Sequence, residues 1–147
     1  MLHNDMALLA DSFRPKVIGT LASMETDAAL KALGVAQIKV QETLRDVATQ
    51  MAYYSRGRMS LADVKWMYKM AGLYEISSGD AAKPITWTLE SKHLQGLAVD
   101  LVPWKSGKAW WQAPIQVWLR MGEIGEHFGL VWGGRWKHTD TPHFQDA

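Results

Sequence analysis

The sequence contains no cysteine. Disulfides, thiolate metal sites and cysteine nucleophiles are therefore excluded, and a transition metal would have to be held by histidine, aspartate or glutamate. No stretch approaches the roughly 20 apolar residues that cross a bilayer, so stable membrane insertion is not expected. Charge of one sign is lacking as well: the formal net charge is +1, with acidic and basic residues spread along the chain. Without a basic block, nucleic acid is not the expected partner. The start, Met1-Leu2-His3-Asn4-Asp5, has no basic segment followed by an apolar run, so no secretory signal is expected.

What is present is enough apolar material for one core: 48% of 147 residues. That length and composition predict a single domain over residues 1–147. Seven of the eight tryptophans lie between Trp87 and Trp136. A tryptophan-rich core accounts for most of them, with one or two free to line a groove for an extended substrate.

The first half reads as helical. Pro15 suits a first helical turn, and Val17, Leu21, Met24 and Ala28 continue at helical spacing to a stop at Gly34. Ile38, Val40 and Glu42 alternate as in a short strand. Asp46 caps a helix through Gln50 and Tyr53 to Gly57, and Ser60 with Asp63 starts another that ends near Gly72. In the second half, Ile85–Leu89 is β-branched and aromatic. Leu97–Val102 is apolar on both parities, as a central strand would be. Pro114 opens a helix to about His127, Gly129 is a C-cap candidate, and Leu130–Trp132 starts a strand. The expected class is α+β: a small antiparallel sheet packed with helices mostly from the N-terminal half.

Asp100 is anomalous inside the apolar strand, because a buried carboxylate is costly unless it is paired or bound to a metal. A strand-end hydrogen bond to backbone would satisfy it equally. His93 lies seven residues earlier, which in one straight strand puts the two side chains on opposite faces. Gly96 between them allows a bulge or bend that lets them converge. Asp140-Thr141-Pro142-His143-Phe144 reads as a turn entering a strand. It offers His143 as a third ligand and leaves Asp140 off the metal to accept a proton from water. Three protein ligands with one open position is the pattern of a catalytic zinc site. His138 is the reserve ligand. His3 is placed on a frayed terminus, His127 at a helix C-terminus, and Glu123 and Glu126 on a solvated face.

Ser91, His93, Gly96, Ala98 and Asp100 resemble the S-x-H-x-x-G-x-A-x-D motif of the zinc D-alanyl-D-alanine carboxypeptidases and phage L-alanyl-D-glutamate peptidases. Trp132-Gly133-Gly134, Trp136 and Asp140-Thr141-Pro142-His143-Phe144 resemble that family's W-G-G-x-W and D-x-P-H-F segment. Glu42-Thr43-Leu44-Arg45 and Gln50 are similar to its strand-then-helix segment, although the family often has Gly-Tyr-Arg where this chain has Thr43-Leu44-Arg45. The resemblance implies one Zn2+ on His93, Asp100 and His143, with Asp140 as general base. It also implies that Arg45 stabilises negative charge on the substrate. A salt bridge with Asp46 or Glu42 is the plainer use of that arginine. Gln50, Trp136 and His138 are expected to face substrate.

The function implied is a monomeric phage-type endolysin that cuts the L-Ala–D-Glu bond of the peptidoglycan stem peptide. It would be made in a host cytoplasm, would reach the periplasmic wall through a membrane lesion, and would carry no separate wall-binding module. Two alternatives stand beside it: a D-Ala-D-Ala carboxypeptidase or dipeptidase on the same scaffold, and a non-catalytic cell-wall-binding module.

Overall fold

The computed structural model describes residues 1–147. Helix α1, Arg14–Thr26, carries Pro15 in its first turn, where a missing N–H costs no helical bond. The single helix expected to run on to Gly34 is divided at Asp27. That residue is extended, and its carboxylate accepts from the Leu30 amide at 3.0 Å, which starts α2 (Ala28–Ala32). Arg120 grips the same carboxylate at 2.7 and 3.1 Å, so the cap also ties α2 to a distant helix.

Strand β1 is Gln37–Glu42. Helix α3, Val47–Ser55, is capped by Asp46, and α4, Leu61–Met70, by Ser60, as their polar N-cap residues foretell. A short α5, Ser78–Ala81, follows. Strand β2, Ala98–Lys105, turns back into the two-residue β3, Lys108–Ala109. Helix α6, Ile115–His127, begins after Pro114, and β4 (Leu130–Trp132) and β5 (His143–Asp146) complete the chain.

The fold is α+β, with the antiparallel order β1-β2-β5-β4 and β3 paired to the far end of β2. Two cores fill it. Helices α1, α2 and α6 pack with the sheet around Phe13, Val17, Leu101, Trp118, Trp132 and Phe144. Helices α3, α4 and α5 enclose a smaller cluster that includes Tyr53, Val64, Tyr68 and Ile76.

The helices come mostly from the N-terminal half, as expected, with α6 of the second half packing on both β4 and α1. Three expectations need correction. Only Trp118 and Trp132 are buried, while Trp66, Trp87, Trp111 and Trp136 are exposed. There is thus no tryptophan-rich core. Ile85–Leu89 joins no strand, and Ile85, Trp87 and Leu89 are solvent-exposed. The N-terminus is not frayed: the Met1 ammonium binds Thr49 Oγ1 at 2.7 Å and the Ala71 carbonyl, and the His3 carbonyl accepts from the Thr43 amide at 2.7 Å.

No helix is long and apolar enough to cross a membrane.

Candidate metal centre

The site begins with strand pairing. Asp100 of β2 is the direct cross-strand partner of His143 of β5, so both side chains point to one face. On the other side of Asp100 stands Glu42. It would follow Val40 to the opposite face, but the register shifts between Val40 and Glu42. This bulge re-aims Glu42 toward the site face. Glu42, Asp100 and His143 therefore form a row across three strands.

His93 arrives by a different route. It sits in a 3-10 turn, Lys92–Gln95, and not in a strand. The parity conflict with Asp100 does not arise. The turn starts at Ser91, whose hydroxyl accepts from the His93 amide at 3.3 Å. It stops at Gly96, which is left-handed with φ 67°, a conformation in which a side chain is strained. A Cβ there would also lie 2.8 Å from the Leu8 carbonyl. The bend that brings His93 over β2 thus depends on glycine at position 96.

His93 Nε2 lies 3.3 Å and His143 Nδ1 3.5 Å from Asp100 Oδ1. One donor atom from each of the three residues lies within 4.8 Å of the others. Each imidazole is also oriented through its second nitrogen. His93 Nδ1 is 2.7 Å from the Thr43 carbonyl, and His143 Nε2 is 2.9 Å from Gln145 Oε1. An acceptor at each of those positions fixes the proton there, leaving the lone pair of the inner nitrogen facing its partners. Two neutral imidazoles and a carboxylate, preoriented and mostly buried, fit a zinc ion.

Without a metal the same three residues hold one another as an ion-paired cluster, whose imidazole protons a bound cation would displace. Burial pushes the Asp100 carboxyl upward, but the charge of His93 and hydrogen bonds from both histidines outweigh it and hold it well below the ordinary range. Burial pulls His143 down, and its hydrogen bond to Asp100, with the charges of Asp100 and Asp140, raises it overall.

Asp140 stands apart from the three donors. Its Oδ2 is 3.8 Å from His143 Nδ1, and its side chain is 46% exposed, so solvent or substrate can reach it. Desolvation, reinforced by the charge of Asp100, raises its pKa to about 6 against the pull of His143, His93 and Arg45. Its backbone is pinned by a 2.9 Å bond from its amide to the Gly133 carbonyl, and the His143 amide returns to the Asp140 carbonyl at 3.2 Å. A Cβ on Gly133 would meet that carbonyl at 2.5 Å. Glycine at 133 is what lets the turn close.

These groups line a cavity of about 510 Å3 together with Arg45, Tyr53 and Trp136. Arg45 is buried and bound to Glu42, with Nε at 3.0 Å from Oε1, and it donates to Gln50 Oε1 at 2.8 Å. The expected salt bridge with Glu42 therefore exists, buried beneath the cleft and not on the surface. Gln50 is 1% exposed and does not line this cavity. Its amide nitrogen donates to the Thr88 carbonyl at 2.7 Å, so it braces Arg45 and the loop above. The Trp136 ring lies 5.0 Å from the His143 ring. His138 stacks on Trp87 at 4.2 Å and is outside the donor group.

Thr43, Gln145 and Glu42 were not singled out from sequence as parts of the site. Gln145 follows His143 by two residues in one strand, so parity alone puts it on the same face. The Thr43 carbonyl is backbone and leaves no side-chain signal.

Residues 85–146 match a peptidase M15 family model described as D-alanyl-D-alanine carboxypeptidase. Within the matched residues fall His93, Asp100, Asp140 and His143, whereas Arg45 and Gln50 lie outside them. Among solved structures, the Serratia marcescens L-Ala D-Glu endopeptidase ChiX is similar, with a TM-score of 0.60 at 21% identity over 97% of this chain and 83% of that one. The vancomycin resistance D,D-pentapeptidase VanY of the VanB-type cassette, in complex with Zn(II), gives 0.52 at 15% identity over 94% and 72%. Both likenesses concern the fold. No curated protein matches the chain in sequence.

Proposed function

We propose that the protein is a zinc peptidase of the phage endolysin type that cuts the L-Ala–D-Glu bond of the peptidoglycan stem peptide. One observation carries the reading: three preoriented donors converge while a fourth residue, the carboxylate Asp140, stays off the group and open to solvent. A closed structural site would have no use for the spare acid.

Zinc held by His93, Asp100 and His143 would supply Lewis acidity, polarising the scissile carbonyl and making a nearby water acidic near neutral pH. The chain's own residues do the rest. Asp140, off the donor group and open to solvent, is placed to take the proton of the attacking water and pass it to the leaving amine. Arg45 spends one N–H on Gln50 and others on Glu42. Each terminal nitrogen keeps a second hydrogen for a substrate oxygen, in a cavity where developing negative charge is poorly solvated.

The shape of the cleft favours endopeptidase over carboxypeptidase action. Beyond Asp140 the cavity continues into a second one of about 790 Å3 that shares Thr86, Thr88, Trp136 and Asp140 with it. Chain can thus extend on both sides of the scissile bond. The description of the family model and the likeness to the D,D-pentapeptidase keep a carboxypeptidase as the second reading.

Digestion of purified peptidoglycan followed by fragment mass analysis separates them. New N-terminal D-Glu is the expected product, and loss of terminal D-Ala would replace this reading with the other. Asp140→Asn should slow digestion by about 10²–10⁴-fold while zinc stays bound. An intact wall after treatment with the zinc-loaded wild type would leave only a binding module. Rapid lysis of permeabilised Gram-negative cells by the added protein is expected of an endolysin.

A further inference from the structure

The second cavity has features that the proposed chemistry does not use. Its wall is formed by two loops, one carrying Trp87 and the other Lys137, His138 and Thr139. The Trp87 ring is 54% exposed and lies against the His138 ring at 4.2 Å with planes 30° apart. The stack joins the two loops across the mouth of the cleft. Trp136, 37% exposed, lines both cavities.

The Trp87 loop is held in place. Gln50 donates to the Thr88 carbonyl at 2.7 Å, and Arg58 to the Thr86 carbonyl at 3.0 Å. These bonds bracket Trp87. Arg58 also lies over the Trp87 ring at 5.5 Å. A tryptophan left this exposed buries little area for the fold, yet its loop is anchored from both sides. Preorganised aromatic faces of this kind cost little entropy on binding. The rest of the wall is mixed: Pro84 and Ile85 add apolar surface, while Lys137, Thr139, Thr86 and Thr88 offer hydrogen-bonding groups.

A flat aromatic face ringed by donors and acceptors matches a pyranose, which presents C–H bonds to the ring and hydroxyl or acetamido groups at its rim. We infer that Trp87, His138 and Trp136 form a subsite for the glycan of the wall, specifically the amino sugar that bears the stem peptide. This rests on the endopeptidase reading and deepens it. The L-Ala of the stem is joined directly to that sugar, so a cut after L-Ala leaves the sugar one residue from the reacting carbonyl. A cut between terminal D-alanines leaves it several residues away. A saccharide platform sharing Asp140 and Trp136 with the catalytic cleft suits the first bond and not the second.

Two measurements test the subsite separately from the chemistry. The first is binding of the wall disaccharide without peptide, read from the indole N–H resonances of the zinc-loaded protein. The Trp87 signal is expected to shift on titration, and Trp87→Ala to abolish binding while Trp87→Phe restores part of it. The second compares cleavage of the stem peptide with and without its disaccharide. The sugar-bearing substrate is expected to have a kcat/KM about tenfold higher, carried by KM, and Trp87→Ala to collapse that ratio toward one. No shift with disaccharide, or equal rates on both substrates in the wild type, would overturn the subsite. So would a Trp87 response to free peptide alone, which would make the pocket a peptide groove. Disaccharide binding in a protein that cleaves neither substrate would keep the subsite and discard the endopeptidase reading.

Discussion

The sheet with α1, α2 and α6 shares a core of 18 buried residues, whereas α3, α4 and α5 enclose only seven. The candidate site lies along the seam between them. All three candidate donors come from the sheet or from the 3-10 turn that folds onto it. Gln50 comes from α3, and Arg45 from the segment just before its cap. The larger core therefore fixes the geometry that a metal demands within tenths of an ångström, while the smaller one supplies charge and braces a loop. Precision has been placed where packing is deepest.

The largest effect should come from the donors on the sheet. His93→Ala or His143→Ala is expected to reduce zinc to background by metal analysis and to remove activity with it, because two protein ligands hold the ion poorly. Lys92→Ala, whose Nζ only reaches the Asp146 carbonyl at 3.0 Å, should keep full zinc. Full occupancy in both histidine variants would mean that the metal sits elsewhere and would dissolve the comparison.

Next in size is a lesion in the smaller core. Ile76 is 1% exposed there, and Ile76→Ala should cost about 3 kcal/mol. If the two cores are as distinct as their packing suggests, amide exchange should quicken across α3–α5 while β2 and β5 stay protected and zinc stoichiometry holds. Uniform loss of protection, with loss of zinc, would show one cooperative unit.

How much of this was legible in the sequence follows from where each signal is stored. Asp46 and Ser60 announced their helices because a cap is local chemistry. The gathering of His93, Asp100 and His143 was legible because each is a side chain carried by a short motif the sequence displays. The element holding His93 was not, since seven residues with a glycine fit a bent strand as well as a 3-10 turn. The break at Asp27 escaped because apolar periodicity runs through it and masks its local cap, to which Arg120 adds a partner 93 residues away. The bulge that turns Glu42 toward Asp100 was equally hidden, because strand register belongs to two strands at once. Tryptophan count misled because it says nothing about exposure: Trp132 and Trp87 look alike in composition, yet one is buried and the other faces solvent.

A smaller effect should come from the groups that orient the ligands. Gln145→Ala removes the 2.9 Å partner of His143 Nε2. The ring keeps its place in the sheet but loses the group that fixes its tautomer. Zinc affinity is expected to fall about tenfold to a hundredfold, measured by competition with a chelating dye, with little change in folding stability. His93 is held by the Thr43 backbone carbonyl, which no substitution deletes, so the two histidines should differ in how far their affinity can be tuned. An unchanged affinity in Gln145→Ala would show that strand pairing alone orients His143.

The smallest effect concerns Asp140 in the metal-free protein. Its folded pKa of about 6 lies above the ordinary 3.8, so the folded state holds this proton more tightly than the unfolded chain does. Between those values the unfolded chain ionises first. Stability from this group is thus present at low pH, falls as pH rises from 3.8 to about 6, and stays reduced above. Asp140→Asn removes the penalty. With the side chain 46% exposed, solvent screening leaves an expected gain of about 1 kcal/mol at pH 7. The gain should vanish below pH 4, as read from urea midpoints of the chelator-treated proteins. Equal midpoints at both pH values would mean that Asp140 is solvated like any surface carboxylate, and its use as a base tuned toward neutrality would lose its physical ground. A gain confined to pH 7 would show that the fold gives up stability to hold a carboxylate ionised beside Asp100, a cost that serves a reaction and not the core.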